Sequence, residues 1–166
     1  MYSGGPRSGN GVVIHHTGAP NAHNVEENSF CTGEGYWYDF AVTREGTIYV
    51  CNNHSGNPGW ENTPGGHGGS ADCNQRVGIM MHGCFGGCDS GNVDAPSEAQ
   101  ECSVALVMSQ LGFANDAGNV SPHIECRATV CPGGNYTSGA SWNDAGVTLR
   151  NRLMDRRANW DDNGSC

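Results

Sequence analysis

The stretch Gly11-Val12-Val13-Ile14-His15-His16 decides the fold class. Three consecutive β-branched residues favour an extended backbone, and a run this short and apolar reads as a buried strand. Thr17 to Pro20 supplies the turn residues that end it. Working outward, Trp37 to Val42 and Gly46 to Cys51 are two more strand-like runs. Between them Thr43, Arg44 and Glu45 lead into Gly46, as a hairpin connection would. His54 to Asp72, rich in Gly, Asn and Pro, reads as a long loop, and the apolar run Arg76 to Phe85 as a central strand. Pro96 opens a helical segment, with Asp94 or Ala95 near its cap, Glu98 in its first turn and apolar residues to Leu111 before Gly112. A second helix is expected from Trp142 or Asp144 to about Arg157. Strands with helices between or after them predict a mixed α/β (α+β) fold, a central mixed sheet flanked by helices.

The 166 residues fit a single domain, 1–166, with a core over about 11–160 and a polar tail over 161–166. No internal repeat or linker interrupts it. With 26 glycines and 36% hydrophobic residues, short elements joined by turn-rich loops are expected rather than a helical bundle. Nine cysteines point to an oxidising compartment, hence to a secreted protein, extracellular or periplasmic, with disulfide-stapled loops. Because the count is odd, at least one cysteine lies outside intrachain bridges, and a metal ligand would account for it. The other eight can pair in about 105 ways, so connectivity is not readable.

No run approaches the roughly 18 to 20 apolar residues of a membrane span. Met1 to Gly11 lacks the charged and apolar regions of a signal peptide, so an exported protein would have this as its mature form. A formal charge of −9 and the absence of lysine exclude a basic patch for nucleic acid or an anionic membrane. A monomer with a neutral or shape-selected partner is expected. The local basic cluster Arg150, Arg152, Arg156 and Arg157 reads as the exposed face and C-terminal end of a helix.

Zinc favours a tetrahedral set of imidazole and thiolate ligands, and a catalytic site leaves one position for water. The candidates are His15 or His16 at the end of the first strand, with His123 and Cys131 bracketing the loop Pro122 to Gly133. Adjacent strand residues point to opposite faces, so one of the two neighbouring histidines faces the site; spacing does not say which.

Val12-Val13-Ile14-His15-His16-Thr17 resembles the opening strand of the type 2 amidases, the family of peptidoglycan recognition proteins and phage amidases. Pro122-His123-Ile124-Glu125-Cys126-Arg127-Ala128-Thr129-Val130-Cys131-Pro132-Gly133 resembles that family's second signature, with His and Cys ligands eight positions apart before Pro-Gly. Gly35 to Phe40 and Glu45 to Tyr49 are similar to its Tyr-x-Phe strand and the hairpin that follows. Gly65-Gly66-His67 and Asn74 to Ile79 match in order, so the likeness runs from about Gly11 to Trp160.

The resemblance implies hydrolysis of the amide between the lactyl group of N-acetylmuramic acid and L-alanine of a peptidoglycan stem peptide. It implies Zn2+ on His15, His123 and Cys131, with His16 on the other side of the strand. Cys131 would then be the unpaired ninth cysteine, in agreement with the parity argument. Tyr38 matches the family's catalytic tyrosine, which orients the attacking water or supports proton transfer. Thr129 matches a position held by lysine in phage enzymes and by threonine in animal ones; a hydroxyl is the weaker electrostatic stabiliser. Trp60 and His67 lie in the loop that borders the stem-peptide groove, and Asn74 just precedes the central strand; all three are candidate substrate contacts. His23, His54 and His82 read as structural.

Two features depart from the family pattern. Amidases with a glutamate base on the central strand would carry it near Met80, where none stands. Cys84 and Cys88, flanking Gly86-Gly87, would staple an insertion that alters the groove. The alternative reading is a non-catalytic peptidoglycan-binding module, but binding alone does not require His15, His123, Cys131 and Tyr38 together.

Overall fold

Alternation along the strands sorts the sheet into two faces, and the two faces have different work. The computed structural model describes residues 11–18, 38–51, 69–85, 95–127, 129, 131–132 and 141–166. Its elements are β1 (Val12–His16), β2 (Phe40–Val42), β3 (Ile48–Val50), α1 (Ala71–Asn74), β4 (Val77–Met81), α2 (Glu98–Leu111), β5 (Val120–Pro122) and α3 (Ser141–Asn163). A 3-10 turn, His123–Glu125, follows β5 directly. The strands form one mixed sheet in the order β3-β2-β4-β1-β5, with β4 at its centre. β2, β4, β1 and β5 run parallel, and β3 pairs with β2 as an antiparallel hairpin. This is the expected mixed α/β architecture.

One face presents Val12, Ile14, Phe40, Val42, Val77, Ile79 and Met81 to Val104, Val107 and Met108 of α2 and to Leu149 and Leu153 of α3. Each such aliphatic side chain contributes ~1.5–3 kcal/mol when fully buried, so this face carries most of the hydrophobic stabilisation. The other face presents Ala41 and Met80, packed with Cys51, Tyr38 and Tyr49. All residues of β1 and β4 are buried, as parallel strands covered on both faces require.

Several boundaries differ from the sequence expectation. The cap of α2 is Ser97, whose Oγ accepts from the Gln100 N–H, and not Asp94 or Ala95. Glu98 and Glu101 then sit in the positive first turn, and Gly112 ends the helix in the left-handed conformation at φ 68. The central strand is confined to Val77–Met81, because its neighbour β1 offers a parallel register only from Val12 to His16. Residues 71 and 72 belong to α1 rather than to a loop, with Ser70 as cap.

The arginine cluster is only partly an exposed face: Arg152 is exposed, Arg150 and Arg156 are half-buried and Arg157 is buried. Arg152 and Arg156 of α3 both donate to the buried Glu101 carboxylate of α2, at 2.8 and 2.9 Å. Arg150 pairs with Glu125 at 2.8 Å, and Arg157 is buried, with its guanidinium over the Phe113 ring and donating to the Phe113 carbonyl. The exposed residues 161–166 continue α3 to Asn163 and end at Cys166, which is bridged to Cys102 of α2. No helix among the described residues is long and apolar enough to cross a membrane.

Candidate metal centre

In the parallel pair β1 and β4, His15 stands opposite Met80 and Ile14 opposite Ile79. Ile14 faces the helices, so strand alternation sends His15 to the opposite face, beside Met80 and Ala41. β5 pairs with β1 as far as Pro122 and Ile14, and the next residue, His123, turns into the 3-10 helix at the level of His15. Both imidazoles therefore emerge at the carboxyl ends of parallel strands, where open α/β sheets hold their ligands. Their ring centroids are 4.3 Å apart.

Cys131 completes the group. Its Sγ is 3.7 Å from His15 Nδ1, and one ligand atom from each of His15, His123 and Cys131 lies within 4.8 Å of the others. A tetrahedral ion with Zn–N near 2.1 Å and Zn–S near 2.3 Å places N and S about 3.6 Å apart, and the Cys131–His15 pair already stands at that spacing. Among the described residues Cys131 is the free cysteine; Cys73–Cys126 and Cys102–Cys166 are bridged, and Cys51 and Cys84 are also disulfide-bonded. Burial pushes the Cys131 thiol up to about 12, while the His16 N–H, donating to Sγ at 3.3 Å, favours the thiolate. A buried thiol of this kind needs a cation beside it to lose its proton.

His16 points the other way. Its Nδ1 accepts from the Phe85 N–H at 3.2 Å, and burial, followed by the charge of His123, lowers it to about 4. The alternative left open by spacing is thus resolved by the sheet: His15 joins the cluster and His16 serves the packing beneath it.

The Tyr38 ring is half-buried beside the cluster, with its centroid 4.8 Å from that of His15. Its placement depends on Asp39, a residue whose role the sequence did not disclose. Asp39 is fully buried; its Oδ2 accepts from the Gly78 N–H at 2.7 Å, and its own N–H donates to the Gly78 carbonyl at 2.9 Å. The carboxylate thereby fastens the chain just before β2 to β4. An acidic residue inside the apolar run Trp37 to Val42 was the available signal. Thr129 stands two residues before Cys131, and its Oγ1 accepts from the Cys131 N–H at 3.3 Å. It holds the backbone of Cys131.

Asn74 closes α1 ahead of the first residue of β4, whereas His15 faces Met80 near the far end of that strand. It does not join the cluster. Trp60 and His67 lie outside the described residues, as do His23, His54 and Cys88. His82 is buried at the end of β4, and its carbonyl accepts from Gln100 Nε2 at 2.9 Å, a structural setting.

Sheet and cluster together define a mixed α/β protein with a candidate three-ligand metal centre at the carboxyl ends of its parallel strands. A family model described as N-acetylmuramoyl-L-alanine amidase matches residues 5–134, a span containing all three ligand candidates. The chain belongs to this amidase family. It is similar in structure to the endolysin N-acetylmuramoyl-L-alanine amidase LysCS from Clostridium intestinale URNW, with 25% identity, a TM-score of 0.54 and 76% of each chain covered. It shares its fold with Drosophila peptidoglycan recognition protein SD, at 17% identity and TM-score 0.53 over 80% of this chain and 77% of that one. A mutant of Drosophila PGRP-LB in complex with tracheal cytotoxin also has this fold, at 19% identity and TM-score 0.55 over 86% and 85%. No curated protein sequence matches the chain.

Proposed function

We propose that this protein is a zinc-dependent N-acetylmuramoyl-L-alanine amidase, exported from the cell, that cuts the bond between the lactyl group of muramic acid and L-alanine of the stem peptide. His15, His123 and Cys131 would hold the ion. The observation that carries the reading is the Cys131 sulfur: buried, unbridged among bridged cysteines, at the spacing of a tetrahedral edge from His15 Nδ1 and within 4.8 Å of a ring nitrogen of His123. When bound, zinc supplies Lewis acidity toward the scissile carbonyl and a nucleophile at neutral pH.

The chain's own residues then have distinct tasks. The Tyr38 hydroxyl, on a ring beside His15, orients water or steadies the developing oxyanion. Thr129 keeps the Cys131 backbone in place and offers a second donor. Met80 and Ala41 give the sheet beside the cluster an apolar floor, which limits competing water. Trp60, His67 and Asn74 are proposed substrate contacts. Export is supported by the bridged cysteines, since such bridges persist in oxidising compartments.

Mass spectrometry of digested peptidoglycan tests the proposal. The expected products are stem peptides with a free L-alanine amine and glycan with unsubstituted lactyl groups, both absent after chelation. Binding to peptidoglycan without turnover in zinc-replete buffer would instead favour a recognition module, the function in the name of the fold relative from Drosophila.

A further inference from the structure

The segment that carries His123 is anchored on both flanks by one short unit, residues 69–76. Two residues before His123, Ser121 Oγ accepts from Arg76 Nη1 at 2.8 Å, and the same nitrogen donates to the Gly118 carbonyl at 2.7 Å. Three residues after it, Cys126 is bridged to Cys73 of α1. The Cys126 N–H also donates to the His123 carbonyl at 2.9 Å, so the bridge closes directly on the turn that aims the imidazole. At the entrance to α1, Gly69 has φ +70, and a Cβ there would stand 2.4 Å from Arg127 Cδ. Glycine suits this left-handed backbone and leaves room for the Arg127 side chain packed against it.

We propose that residues 69–76 are a clamp that positions His123 for metal binding, with Cys73, Cys126 and Arg76 as positioning residues. This rests on the reading of His15, His123 and Cys131 as the ligands. His15 sits inside a strand paired on both sides, so its direction is set by the sheet. His123 lies one residue beyond the end of a strand, because β5 ends at Pro122, at the sheet edge among the described residues. The clamp does for His123 what the flanking strands do for His15. In metal sites such outer contacts set ligand direction, and their loss lowers affinity without removing a ligand.

The rival account is that Cys73–Cys126 merely stabilises the fold. The bridge Cys102–Cys166 is a matched control, since its sequence separation is 64 against 53, which constrains the unfolded chain to a similar degree. It ties α2 to the C-terminus rather than to the His123 turn. Alanine is the replacement of choice, because freed thiols would themselves bind zinc.

The experiment measures zinc affinity of the whole chain by competition with a chromogenic chelator, alongside circular dichroism. The double variant Cys73→Ala/Cys126→Ala is expected to bind zinc about 10- to 100-fold more weakly, and Cys102→Ala/Cys166→Ala to stay within about twofold of wild type. Arg76→Met, which keeps the aliphatic stem and removes both donors, is expected to weaken binding in the same direction and decides the matter should the first variant fail to fold. Wild-type affinity in both Cys73→Ala/Cys126→Ala and Arg76→Met overturns the clamp, and so does an equal loss in the two bridge variants. A wild-type chain that takes up no zinc overturns the ligand reading itself, a separate result from either.

Discussion

The sulfur of Cys131 lies 3.7 Å from Nδ1 of His15, across 116 positions of sequence. Nothing in the hydrophobic core requires that meeting. The sheet turns His15 away from the helices, the end of β5 delivers His123, and the segment through Thr129 brings the thiol to them. Burial, only partly offset by the His16 N–H, makes the thiol a poor acid, at about 12, so a cation is the natural partner for this arrangement.

Tyr38→Phe removes one hydroxyl and leaves the ring beside His15. Zinc content is expected to stay at one per chain while kcat falls about 10²-fold, the lower range for a group assisting proton transfer. Metal analysis and steady-state kinetics on soluble muropeptide check this, and loss of zinc in the variant would place Tyr38 in a different role.

Asp39→Ala leaves the buried Gly78 N–H without the Oδ2 acceptor. An orphaned buried donor costs ~1–3 kcal/mol, more when its partner was a carboxylate. Urea unfolding should show a loss at or above the upper end of that range, and Asp39→Asn, which keeps an acceptor oxygen, a smaller one.

Gln100→Leu tests how α2 is registered on the sheet. Its Nε2 donates to the carbonyls of both Val42 and His82, at 3.0 and 2.9 Å, at the last residue of β2 and just past the end of β4. Losing both bonds inside the fold is expected to cost ~2–4 kcal/mol, read as a lower midpoint in urea with an unchanged slope.

The fold and the site were legible to different degrees. β1, β4 and α2 were readable because each shows a strong local signal, a β-branched or apolar run or a helical period closed by glycine. β5 was not, since Val120-Ser121-Pro122 has one strand former and a proline; it exists because β1 offers it a parallel edge. α1 is too short to show a period. The α2 cap was misplaced because Pro96 looks like a first helical residue, yet Ser97 after it has the hydroxyl that meets the Gln100 N–H. Arg152 and Arg156 of α3 look solvated in the sequence because their shared partner, Glu101, lies 51 positions from Arg152. Cysteine parity and the His-x7-Cys spacing pointed to Cys131, but the choice between His15 and His16 needed the sheet, and the bridge behind His123 needed the coordinates of Cys73.

His16 gives the metal-free protein a pH dependence. Its folded value is about 4 against 6.5, so on acidification the unfolded chain takes up the proton first. The neutral ring therefore contributes stability that is complete above pH 6.5 and is lost as pH falls toward 4, up to ~3 kcal/mol in all. Urea unfolding of the chelated protein at pH 7.5 and at pH about 5 should show a smaller difference for His16→Asn, which keeps an acceptor for the Phe85 N–H. Equal differences in the two proteins would remove His16 from this account.

Cobalt(II) in place of zinc reports the ligands by colour, and its absorption spectrum bears most directly on the three-ligand centre. One cobalt per chain is expected, with the intense bands of a four-coordinate ion and a sulfur-to-cobalt charge-transfer band that disappears in Cys131→Ser. A spectrum without the sulfur band, or one that Cys131→Ser leaves unchanged, would contradict the account.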